Sequence, residues 1–509
     1  MTDPTRTISG TVGRQAAASP AIRSPGRAPL SYGALATLIG QTRASLRKAG
    51  VSKSDRVAIV MPDGPETAAA FLAIASGAVA APLNPAYKSE EFDFYIGDIG
   101  AKALVVAEGD QTPARAVADA RGVPVIELRG MASGPAGAFE LVGPAGAVAA
   151  EDAPTSASDI ALVLHTSGTT SRPKIVPLTH LNLTTSARNI AATLALTPED
   201  SGLAVMPLFH IHGLIGALLS SISAGAGVFC GDGFNALRFF GWLEEARATW
   251  YSAVPSMHQA ILGRAARNAE IVARNPLRFI RSSSAPMVPT LIAEMERVFG
   301  CPVIESYGMT EASHQMASNP LPPLPRKPGS VGLAAGPQVA VMTEDGRLAP
   351  AGAVGEVVIS GANVTSGYEN RPEANQEAFR DGWFRTGDLG FLDGDGYLTI
   401  SGRLKEIINR GGEKISPREV DDILCEHPAV LQAVTFGMPS QRLGEEVAAA
   451  IVLRDGASVT ESELRGFVGQ RIAAFKVPRR VVFLEEIPKG PTGKLQRIGL
   501  AARLGLEDR

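Results

Sequence analysis

A run of small hydroxyl side chains that ends in a lysine is the strongest chemical signal in this sequence. Residues 166–174 read Thr-Ser-Gly-Thr-Thr-Ser-Arg-Pro-Lys and directly follow an apolar run at residues 160–164. Short hydroxyl groups and backbone N–H groups can surround phosphate oxygens, and the amino group of Lys174 adds a point charge. A flexible Ser/Thr linker is the alternative, but linkers seldom end in Arg-Pro-Lys directly after a buried strand. The pattern predicts a phosphate-binding loop at a strand end, and no Walker motif, G-x-x-x-x-G-K-[ST], occurs in the chain.

Five further segments carry side chains of the kinds that bind phosphates, hydroxyl groups or carboxylates. Two imidazoles at His210 and His212 are weak evidence for a metal without a third ligand, so we expect His212 to be a packing residue. For Glu311 the alternative to a functional role is an ordinary solvated surface residue. For residues 488–494 the alternative is a solvated tail. The segments are Pro-Leu-Phe-His-Ile-His-Gly (207–213), Ser-Ser-Ser-Ala-Pro (282–286), Glu-Ser-Tyr-Gly-Met-Thr-Glu (305–311), Trp-Phe-Arg-Thr-Gly-Asp (383–388) and Pro-Lys-Gly-Pro-Thr-Gly-Lys (488–494).

The elements that must position these segments alternate between strands and helices. Apolar runs at residues 57–61, 103–107 and 160–164 predict buried strands, and an Ala-rich run at residues 65–80 predicts a helix. Strand–helix alternation of this kind predicts an α/β fold with a largely parallel sheet.

The pattern changes near residue 400. The sequence Asp-Gly-Asp-Gly at residues 393–396 predicts a hairpin turn between two strands. Ser416 and Thr460 each precede a Glu three residues later and an apolar helical face, so both predict a capping box that opens a helix. The last hundred or so residues therefore form a small α+β unit in this interpretation.

Length and composition limit the class of protein. A chain of 509 residues is too long for one compact core, and 45% hydrophobic with 19% charged residues is typical of globular proteins. A net charge of −3 leaves no basic field for nucleic acid. Cys230, Cys301 and Cys425 form no CxxC pair, so neither a disulfide framework nor a zinc site is expected. Without a recognisable secretion signal, membrane span or peroxisomal tripeptide, we expect a cytoplasmic protein that is not bound to a membrane; nothing indicates its oligomeric state.

Taken in order, the polar segments resemble the signatures of the adenylate-forming superfamily, which includes acyl- and aryl-CoA synthetases, luciferases and the adenylation domains of peptide synthetases. The resemblance covers residues 29–497, and the chain departs from it where Ser171 and Ile175 replace the usual glycines. It implies an α/β protein with a large N-terminal domain of stacked α/β sheets, residues 1–403. A small mobile C-terminal α+β domain, residues 404–509, would act as a lid that carries the catalytic lysine.

The resemblance also implies which residues bind ATP. Tyr307 would stack on one face of the adenine, opposite the segment around Ser284. Asp388 would accept hydrogen bonds from the ribose hydroxyls while Arg403 donates from the other side. Glu311 would bind Mg²⁺, because a hard cation that bridges phosphate oxygens needs a carboxylate. The implied nucleotide-binding residues are Thr166, Ser167, Gly168, Thr169, Thr170, Lys174, Ser284, Ala285, Glu305, Ser306, Tyr307, Thr310, Asp388 and Arg403.

The same resemblance assigns the chemistry and the second substrate. Lys494, at the end of the last segment, would reach the active site during adenylation and act as a catalytic residue beside Glu311 and His210. Lys405 would be the hinge between the domains. Residues Arg410, Gly411 and Gly412 would face the tunnel for coenzyme A.

Residues 165–174, 207–214 and 307–323 look most like those of oxalate:CoA ligases within the superfamily. A dicarboxylate keeps a second charge after binding, and that charge needs donors. His210, His314, Ser283 and Ser284 would supply them and form the acid-binding site, although a structural role for His314 is the alternative. Three other functions remain open: a medium-chain acyl- or aryl-CoA ligase, an adenylation enzyme that loads a carrier protein, and a non-catalytic nucleotide-binding protein.

Overall fold

The structure is a computed structural model that describes residues 6–144, 154–166, 173–488 and 497–506. Contacts divide the chain into two compact units. Of the described residues, the first unit holds those up to and including Thr166, residues 173–339 and residues Ile359–Gly382, and the second holds Ala340–Val358 and those from Trp383 onwards. The predicted α/β fold, with a large N-terminal and a smaller C-terminal part, is confirmed. The predicted domain boundary at residue 403 stays a prediction.

The strands up to residue 334 belong to two large sheets of the first unit. In chain order they are β1 (Pro20–Arg23), β2 (Leu30–Ser31), β3 (Arg56–Val60), β4 (Val79–Pro82), β5 (Ala103–Ala107), β6 (Val125–Gly130), β7 (Phe139–Val142), β8 (Ile160–His165), β9 (Ile175–Thr179), β10 (Ser201–Ala204), β11 (Gly227–Cys230), β12 (Trp250–Ala253), β13 (Phe279–Ser282), β14 (Val303–Met309), β15 (His314–Ser318) and β16 (Leu333–Ala334).

The helices of the first unit connect these strands. They are α1 (Ile8–Gly13), α2 (Tyr32–Lys48), α3 (Pro65–Ile74), α4 (Ser89–Asp98), α5 (Pro113–Ala120), α6 (His180–Thr193), the π-helix His212–Leu219, α7 (Ser220–Ala224), α8 (Phe239–Ala246), α9 (Pro255–Ala265), α10 (Ala269–Arg274), α11 (Pro289–Phe299) and α12 (Pro372–Ala378). Short 3₁₀ turns follow at Ala266–Asn268 and Thr310–Ala312.

Both large sheets are parallel at their centres. The seven-stranded sheet has the order β7-β6-β5-β3-β4-β8-β9, with β7 and β9 antiparallel to their neighbours. The nine-stranded sheet has the order β16-β15-β14-β13-β12-β10-β11-β1-β2 and is parallel from β14 to β1. Residues 57–60 and 103–106 are fully buried, as expected for strands of a parallel sheet covered on both faces.

Three neighbouring strands of the nine-stranded sheet bring polar residues together. Ser252 on β12 lies beside Arg281 on β13, and Ser282 on β13 lies beside Glu305 on β14. Because these strands are parallel, the chain leaves them at the same edge of the sheet. Ligands of open α/β sheets bind at that edge.

The predicted helix at residues 65–80 is shorter than its composition suggests. It ends at Ile74, and Val79–Pro82 forms β4, a central strand between β3 and β8. The pairing of β4 with its neighbours decides the conformation of Val79 and Ala80, because sheet burial outweighs the small difference in intrinsic helix propensity. The Ala-rich composition was therefore a wrong guide at these positions.

The remaining strands and helices lie mainly in the second unit. The strands are β17 (Gln338–Met342), β18 (Gly355–Ser360), β19 (Phe379–Arg380), β20 (Trp383–Leu392), β21 (Leu398–Arg403), β22 (Ile408–Arg410), β23 (Glu413–Ile415), β24 (Val430–Ser440), β25 (Gly444–Leu453) and β26 (Arg480–Phe483). The helices are α13 (Pro417–Glu426), α14 (Glu461–Gly469) and α15 (Leu500–Arg503), with 3₁₀ turns at Leu404–Glu406 and Ala474–Lys476.

The second unit is built on a sheet with the order β23-β22-β25-β24, with β26 parallel to β25. One face packs apolar residues of α13 and α14, among them Val420, Leu424, Leu464 and Val468, against the sheet. The predicted hairpin turn at residues 393–396 joins β20 to β21 and is confirmed. Helices packed on an antiparallel sheet are the α+β arrangement predicted for this part of the chain.

The two predicted capping boxes have different outcomes. Thr460 Oγ1 accepts the N–H of Glu463, and the Glu463 carboxylate accepts the N–H of Thr460, so the box at α14 is confirmed. At α13 no side chain caps the helix, because the hydroxyl of Ser416 donates to the carbonyl of Ser401 instead. A contact with a distant residue therefore replaces the predicted local one.

The three cysteines are free thiols, as their spacing predicts; Cys230 and Cys301 are buried and Cys425 is half-buried. Within the described residues, no helix combines the length and the apolar character that crossing a membrane requires.

Candidate active site

Two hydrogen bonds join the two ends of the hydroxyl-rich loop, which connects β8 to β9. The N–H of Thr166 donates to the carbonyl of Lys174 at 2.9 Å, and the N–H of Lys174 donates to Thr166 Oγ1 at 3.3 Å. Ser167, Gly168, Thr169 and Thr170 lie outside the described residues, so their phosphate-binding role stays a prediction. The base of the loop is thus held in one conformation at the carboxyl end of a buried strand.

Tyr368 connects the lysine of this loop to Glu311. The Tyr368 hydroxyl donates to Glu311 Oε1 at 2.8 Å, and Lys174 Nζ lies 4.4 Å from the centre of the Tyr368 ring. Burial and the charge of Glu311 raise the pKa of Tyr368, so its hydroxyl stays a donor. The Glu311 carbonyl also accepts the N–H of Thr365 at 2.7 Å, which fixes the turn that carries this carboxylate.

The Glu311 carboxylate is suited to binding a magnesium ion whose other ligands are mostly phosphate oxygens. Its side chain is buried, and one carboxylate oxygen is oriented by Tyr368. No cluster of three or more His, Cys, Asp or Glu side chains suited to a metal occurs among the residues that the structure describes. Mg²⁺ commonly binds through one or two carboxylates together with substrate phosphates and water, which is what a single buried carboxylate offers.

The segments predicted to hold the adenine are cross-linked by serine hydroxyls. Ser283 Oγ donates to the carbonyl of Ser306 at 3.0 Å, and Ser306 Oγ donates to the carbonyl of Ser282 at 3.2 Å. Glu305 is buried and accepts the N–H of Gly329 at 3.3 Å. These contacts hold the ends of β13 and β14 together.

Exposure separates the predicted ligand-binding residues of these two segments into two groups. Ser283, Glu305 and Ser306 are buried, whereas Ser284, Ala285, Tyr307 and Thr310 are half-buried. The hydroxyl groups of Ser283 and Ser306 donate to backbone carbonyls.

A strained turn connects Glu311 to His314. Ser313 has a φ of 51° and His314 a φ of 98°, both in the left-handed region that β-carbon atoms disfavour. Strained residues of this kind persist where the surroundings enforce them, and they cluster at functional sites. The turn lets the Glu311 carboxylate face Tyr368. Three residues later, the His314 ring instead contacts His212 and Arg281.

The rings of His212 and His314 stack inside the protein. Their centroids are 4.7 Å apart with an interplanar angle of 20°, and both side chains are buried. Burial and the neighbouring His314, Arg281, His210 and His258 lower the pKa of His212 well below its usual value, so this ring is neutral near pH 7. His212 packs in the core as predicted, but it also bonds Ser252 and Ser284 through its two ring nitrogens.

His210, predicted beside the carboxylate pocket, is half-buried at the start of the π-helix. Its Nδ1 accepts the N–H of His212 at 3.2 Å. This bond places the proton of a neutral His210 ring on Nε2.

Arg281 is a buried cation that the sequence analysis missed. Its side chain is 0% exposed, and it donates to Ser252 Oγ at 3.2 Å, His314 Nε2 at 3.0 Å and Gln315 Oε1 at 3.1 Å. Burial lowers its pKa to about 9, so it remains charged at pH 7. None of these partners is a carboxylate, although buried charges are normally paired with one.

Gly216 makes room for the histidine pair. A Cβ atom at this position would lie 2.6 Å from Nε2 and Cδ2 of His314 and 3.0 Å from Cδ2 of His212. The π-helix backbone therefore touches both rings directly.

The predicted ribose residues lie in the second unit. Asp388 and Arg403 stand opposite each other on β20 and β21, and Arg403 Nε donates to Asp388 Oδ1 at 2.7 Å. Asp388 is buried, and Arg403 is exposed. The two residues that were expected to approach the ribose from opposite sides thus bond each other, and their ribose contacts stay a prediction.

The predicted coenzyme A residues form a tight hairpin. Gly411 and Gly412 have φ values of 59° and 95° and connect β22 to β23, where Arg410 pairs with Glu413. A two-residue turn with positive φ at both positions requires glycine or a similar residue. The guanidinium of Arg410 forms an ion pair with Glu446, a buried carboxylate. Contact with coenzyme A stays a prediction.

The predicted hinge residue Lys405 lies in a turn of the second unit that also contacts Arg497. Lys405 is exposed in the turn Leu404–Glu406. Arg497 pairs with Glu406 at 3.1 Å and with Asp421 at 2.5 Å. Lys494, three residues before Arg497, lies outside the described residues, so its catalytic role stays a prediction.

Sequence reasoning missed three residues of the site: Arg281, Tyr368 and Gly216. For Arg281 a signal existed, because a charged residue in the strand Phe-Ile-Arg-Ser is unusual in an otherwise apolar element. Gly216 stands in the apolar helical run at residues 211–222, where a glycine often marks close packing. For Tyr368 the sequence holds no comparable signal, because its partners are far away in the chain.

Comparison with known proteins gives consistent matches over both parts of the chain. A model of the AMP-binding enzyme family matches residues 11–369, and one of the AMP-binding enzyme C-terminal domain matches residues 419–494. The chain is 45% identical over 483 residues to the oxalate–CoA ligase of Arabidopsis thaliana, covering 94% of each protein. It is 43% identical to the oxalate–CoA ligase of Saccharomyces cerevisiae, covering 88% of this chain and 86% of that protein. The crystal structure of ATP-bound MatB from Rhodopseudomonas palustris matches with a TM-score of 0.86 and 30% identity, covering 96% of this chain and 97% of MatB.

Proposed function

The chain belongs to the AMP-binding enzyme family and is an AMP-forming acid:CoA ligase, and we propose that the acid it activates is oxalate. ATP and coenzyme A are the other substrates, and Mg²⁺ is the proposed metal. The oxalate–CoA ligases of Arabidopsis thaliana and Saccharomyces cerevisiae, at 45% and 43% identity, support this choice of acid. A medium-chain acyl or aryl acid, and a carrier protein as the acyl acceptor, are the alternatives.

The polar histidine cluster is the observation that carries the choice of oxalate. His210, Ser284 and the stacked pair of His212 and His314 would offer polar groups to the acid, whereas a fatty or aromatic acid requires an apolar surface. The ring of His314 is packed tightly against Gly216. A two-carbon dicarboxylate needs hydrogen-bond donors at its second carboxylate, and this cluster would supply them.

The first half-reaction joins two anions. A carboxylate oxygen of the acid attacks the α-phosphorus of ATP, the bond to the bridging oxygen breaks, and pyrophosphate leaves with the electron pair. Positive charge must lie near the transferring phosphoryl group because both reactants are negative. Lys174 and the hydroxyl loop would hold the phosphates, and Lys494 would stabilise the charge that develops. Mg²⁺ held by Glu311 would, when bound, offset the charge of phosphate oxygens.

The second half-reaction needs a different arrangement. The thiol of coenzyme A attacks the acyl carbon, and AMP leaves. We propose that rotation about Lys405 withdraws Lys494 and brings Arg410, Gly411 and Gly412 to the pantetheine. Lid rotation of this kind would let one site serve two reactions in turn.

The proposed acid is tested by acid-dependent pyrophosphate release with oxalate, malonate, acetate, octanoate and benzoate. We expect oxalate to have the highest kcat/KM. We also expect His314→Ala to raise the KM for oxalate about 10- to 100-fold, the cost of a lost hydrogen bond to a charged group, while the KM for ATP stays within about threefold of wild type.

His427→Ala is the control for this substitution, because His427 is a half-buried histidine of the second unit. Faster turnover of octanoate or benzoate than of oxalate would reject the proposed acid. Thioester formation with a carrier protein but not with free coenzyme A would favour the carrier-loading alternative.

Gly216→Ala is expected to disturb the acid site without touching a charged group. The added Cβ would lie 2.6 Å from the His314 ring, and the buried, hydrogen-bonded rings must move. We expect the free energy of unfolding to fall by about 1–3 kcal/mol and the KM for oxalate to rise about tenfold or more. Denaturant unfolding and pyrophosphate release measure the two effects.

Gly241→Ala on α8 is the matched control, because a Cβ there meets no atom within 4 Å. It should leave the KM for oxalate unchanged and should not lower the free energy of unfolding, which alanine raises by up to about 1 kcal/mol at an exposed helix position. An unaltered KM for oxalate in Gly216→Ala would show that the histidine pair does not shape the acid site.

A further inference from the structure

Arg281 is costly for the stability of the fold. It is fully buried, its three hydrogen-bond partners are neutral, and its Nε has no partner among the described residues. Removing a guanidinium from water without a carboxylate partner is unfavourable. A neutral residue of similar volume would suit a core better, so the position of Arg281 points to a role beyond packing.

The chemistry of the guanidinium sets the direction of the hydrogen bonds around it. Arginine has only donors, so Ser252 Oγ accepts from Arg281 Nη1. The hydroxyl hydrogen of Ser252 then goes to its other described partner, His212 Nε2, at 2.6 Å. A neutral His212 that accepts at Nε2 carries its proton on Nδ1. That N–H donates to Ser284 Oγ at 3.1 Å.

The last member of this chain is the residue that a ligand can reach. Ser284 is half-buried, and His212 is its hydrogen-bond partner among the described residues. Because its oxygen accepts from His212, its own hydrogen is left to donate elsewhere. Its φ of 72° lies in the left-handed region, a strained conformation for serine that the surroundings must enforce.

The same guanidinium nitrogen also contacts the other histidine. Arg281 Nη1 donates to His314 Nε2 at 3.0 Å, so the proton of a neutral His314 ring is on Nδ1. Arg281 therefore determines the tautomers of both stacked rings. Without it, either nitrogen of each ring is free to carry the proton.

We infer that Arg281 is a positioning residue for acid binding, which orders the hydrogen bonds from Ser252 through His212 so that Ser284 presents a donor to a carboxylate of the acid. The identity of the ligand in this inference rests on the proposed function. The order of the hydrogen bonds does not depend on it. An anion that meets the hydroxyl hydrogen of Ser284 is bound, whereas one that meets its lone pairs is repelled.

The test combines the tautomer of His212 with kinetics. In ¹⁵N-histidine-labelled wild-type protein, with the signal assigned by His212→Asn, we expect the neutral Nδ1–H tautomer. Arg281→Met removes the donor, and we expect His212 to lose that preference. The KM for the acid should rise about 10- to 100-fold, while the KM for ATP stays within about threefold of wild type. Arg281→Lys keeps a donor-only cation and should restore part of the acid affinity.

Two further variants keep the test decisive. Ser252→Ala breaks the chain between Arg281 and His212 and should change the tautomer and the KM for the acid in the same direction, even if Arg281→Met does not fold. Arg274→Met alters an exposed arginine of α10 and should change neither.

An unchanged Nδ1–H tautomer in both Arg281→Met and Ser252→Ala would overturn the inference, as would an equal rise of the KM for the acid and for ATP. A preferred acid other than oxalate, together with the expected change of tautomer, would reject the proposed substrate and leave the role of Arg281 in place.

Discussion

Lys494→Ala is expected to lower acid-dependent pyrophosphate release about a thousandfold or more, while thioester formation from supplied acyl-adenylate stays within about threefold of wild type. The physical reason is that a fixed cation at the transferring phosphoryl group is needed only when two anions react. The acyl-adenylate has already lost pyrophosphate, so the attack of coenzyme A does not need that charge. Pyrophosphate release with oxalate and ATP measures the first half-reaction, and thioester formation from synthetic oxalyl-adenylate measures the second.

The same loop supplies a matched control. Lys489 belongs to the same Pro-Lys-Gly-Pro-Thr-Gly-Lys segment, so Lys489→Ala makes the same change of charge five positions earlier. It should leave both half-reactions within a few-fold of wild type, about the effect of a solvated surface charge. An equal loss of both half-reactions in Lys494→Ala would contradict the proposal that the lysine withdraws before thioester formation.

Glu311→Gln is expected to reduce adenylation about 100- to 1,000-fold and to raise the Mg²⁺ concentration needed for half-maximal rate. Glutamine has the shape of glutamate, and its carbonyl can still accept from Tyr368, so the turn should keep its conformation while the site loses a negative charge. Pyrophosphate release is measured against Mg²⁺ concentration. Calorimetric binding of ATP with and without Mg²⁺ gives a second readout that does not depend on turnover.

Glu369→Gln is the control for this charge change. Glu369 follows Tyr368 in the chain but pairs with Arg56 at 2.5 Å, so its carboxylate serves a different contact. We expect its Mg²⁺ dependence to equal that of wild type. If Glu311→Gln and wild type bound MgATP equally well and required equal Mg²⁺, the carboxylate would not be the metal ligand.

Much of the site could be predicted because its residues occur in short segments. The resemblance to the adenylate-forming superfamily, carried by segments of five to nine residues, is confirmed by family matches over residues 11–369 and 419–494. The roles of the individual residues stay predictions. The structure does bring some of them into one network, since Lys174 and Glu311 meet through Tyr368 although 137 positions separate the two.

The sequence by itself determined the features that depend on near neighbours. The hairpin turn at residues 393–396 and the capping box of Thr460 and Glu463 were predictable, because their hydrogen bonds join residues at most four positions apart. Buried apolar runs such as residues 57–60 were predictable for a similar reason, since a parallel sheet covered on both faces needs continuous apolar strands.

Only the tertiary structure decided the features that depend on distant partners. The hydroxyl of Ser416 donates to Ser401 instead of capping its own helix, and Val79 and Ala80 belong to strand β4 and not to the Ala-rich helix predicted for them. The hydrogen bonds that connect Arg281 through Ser252 to His212 depend on two neighbouring strands and a π-helix that are far apart in the chain. Local preferences are worth a few tenths of a kcal/mol per residue, so one buried hydrogen bond or sheet pairing is enough to override them.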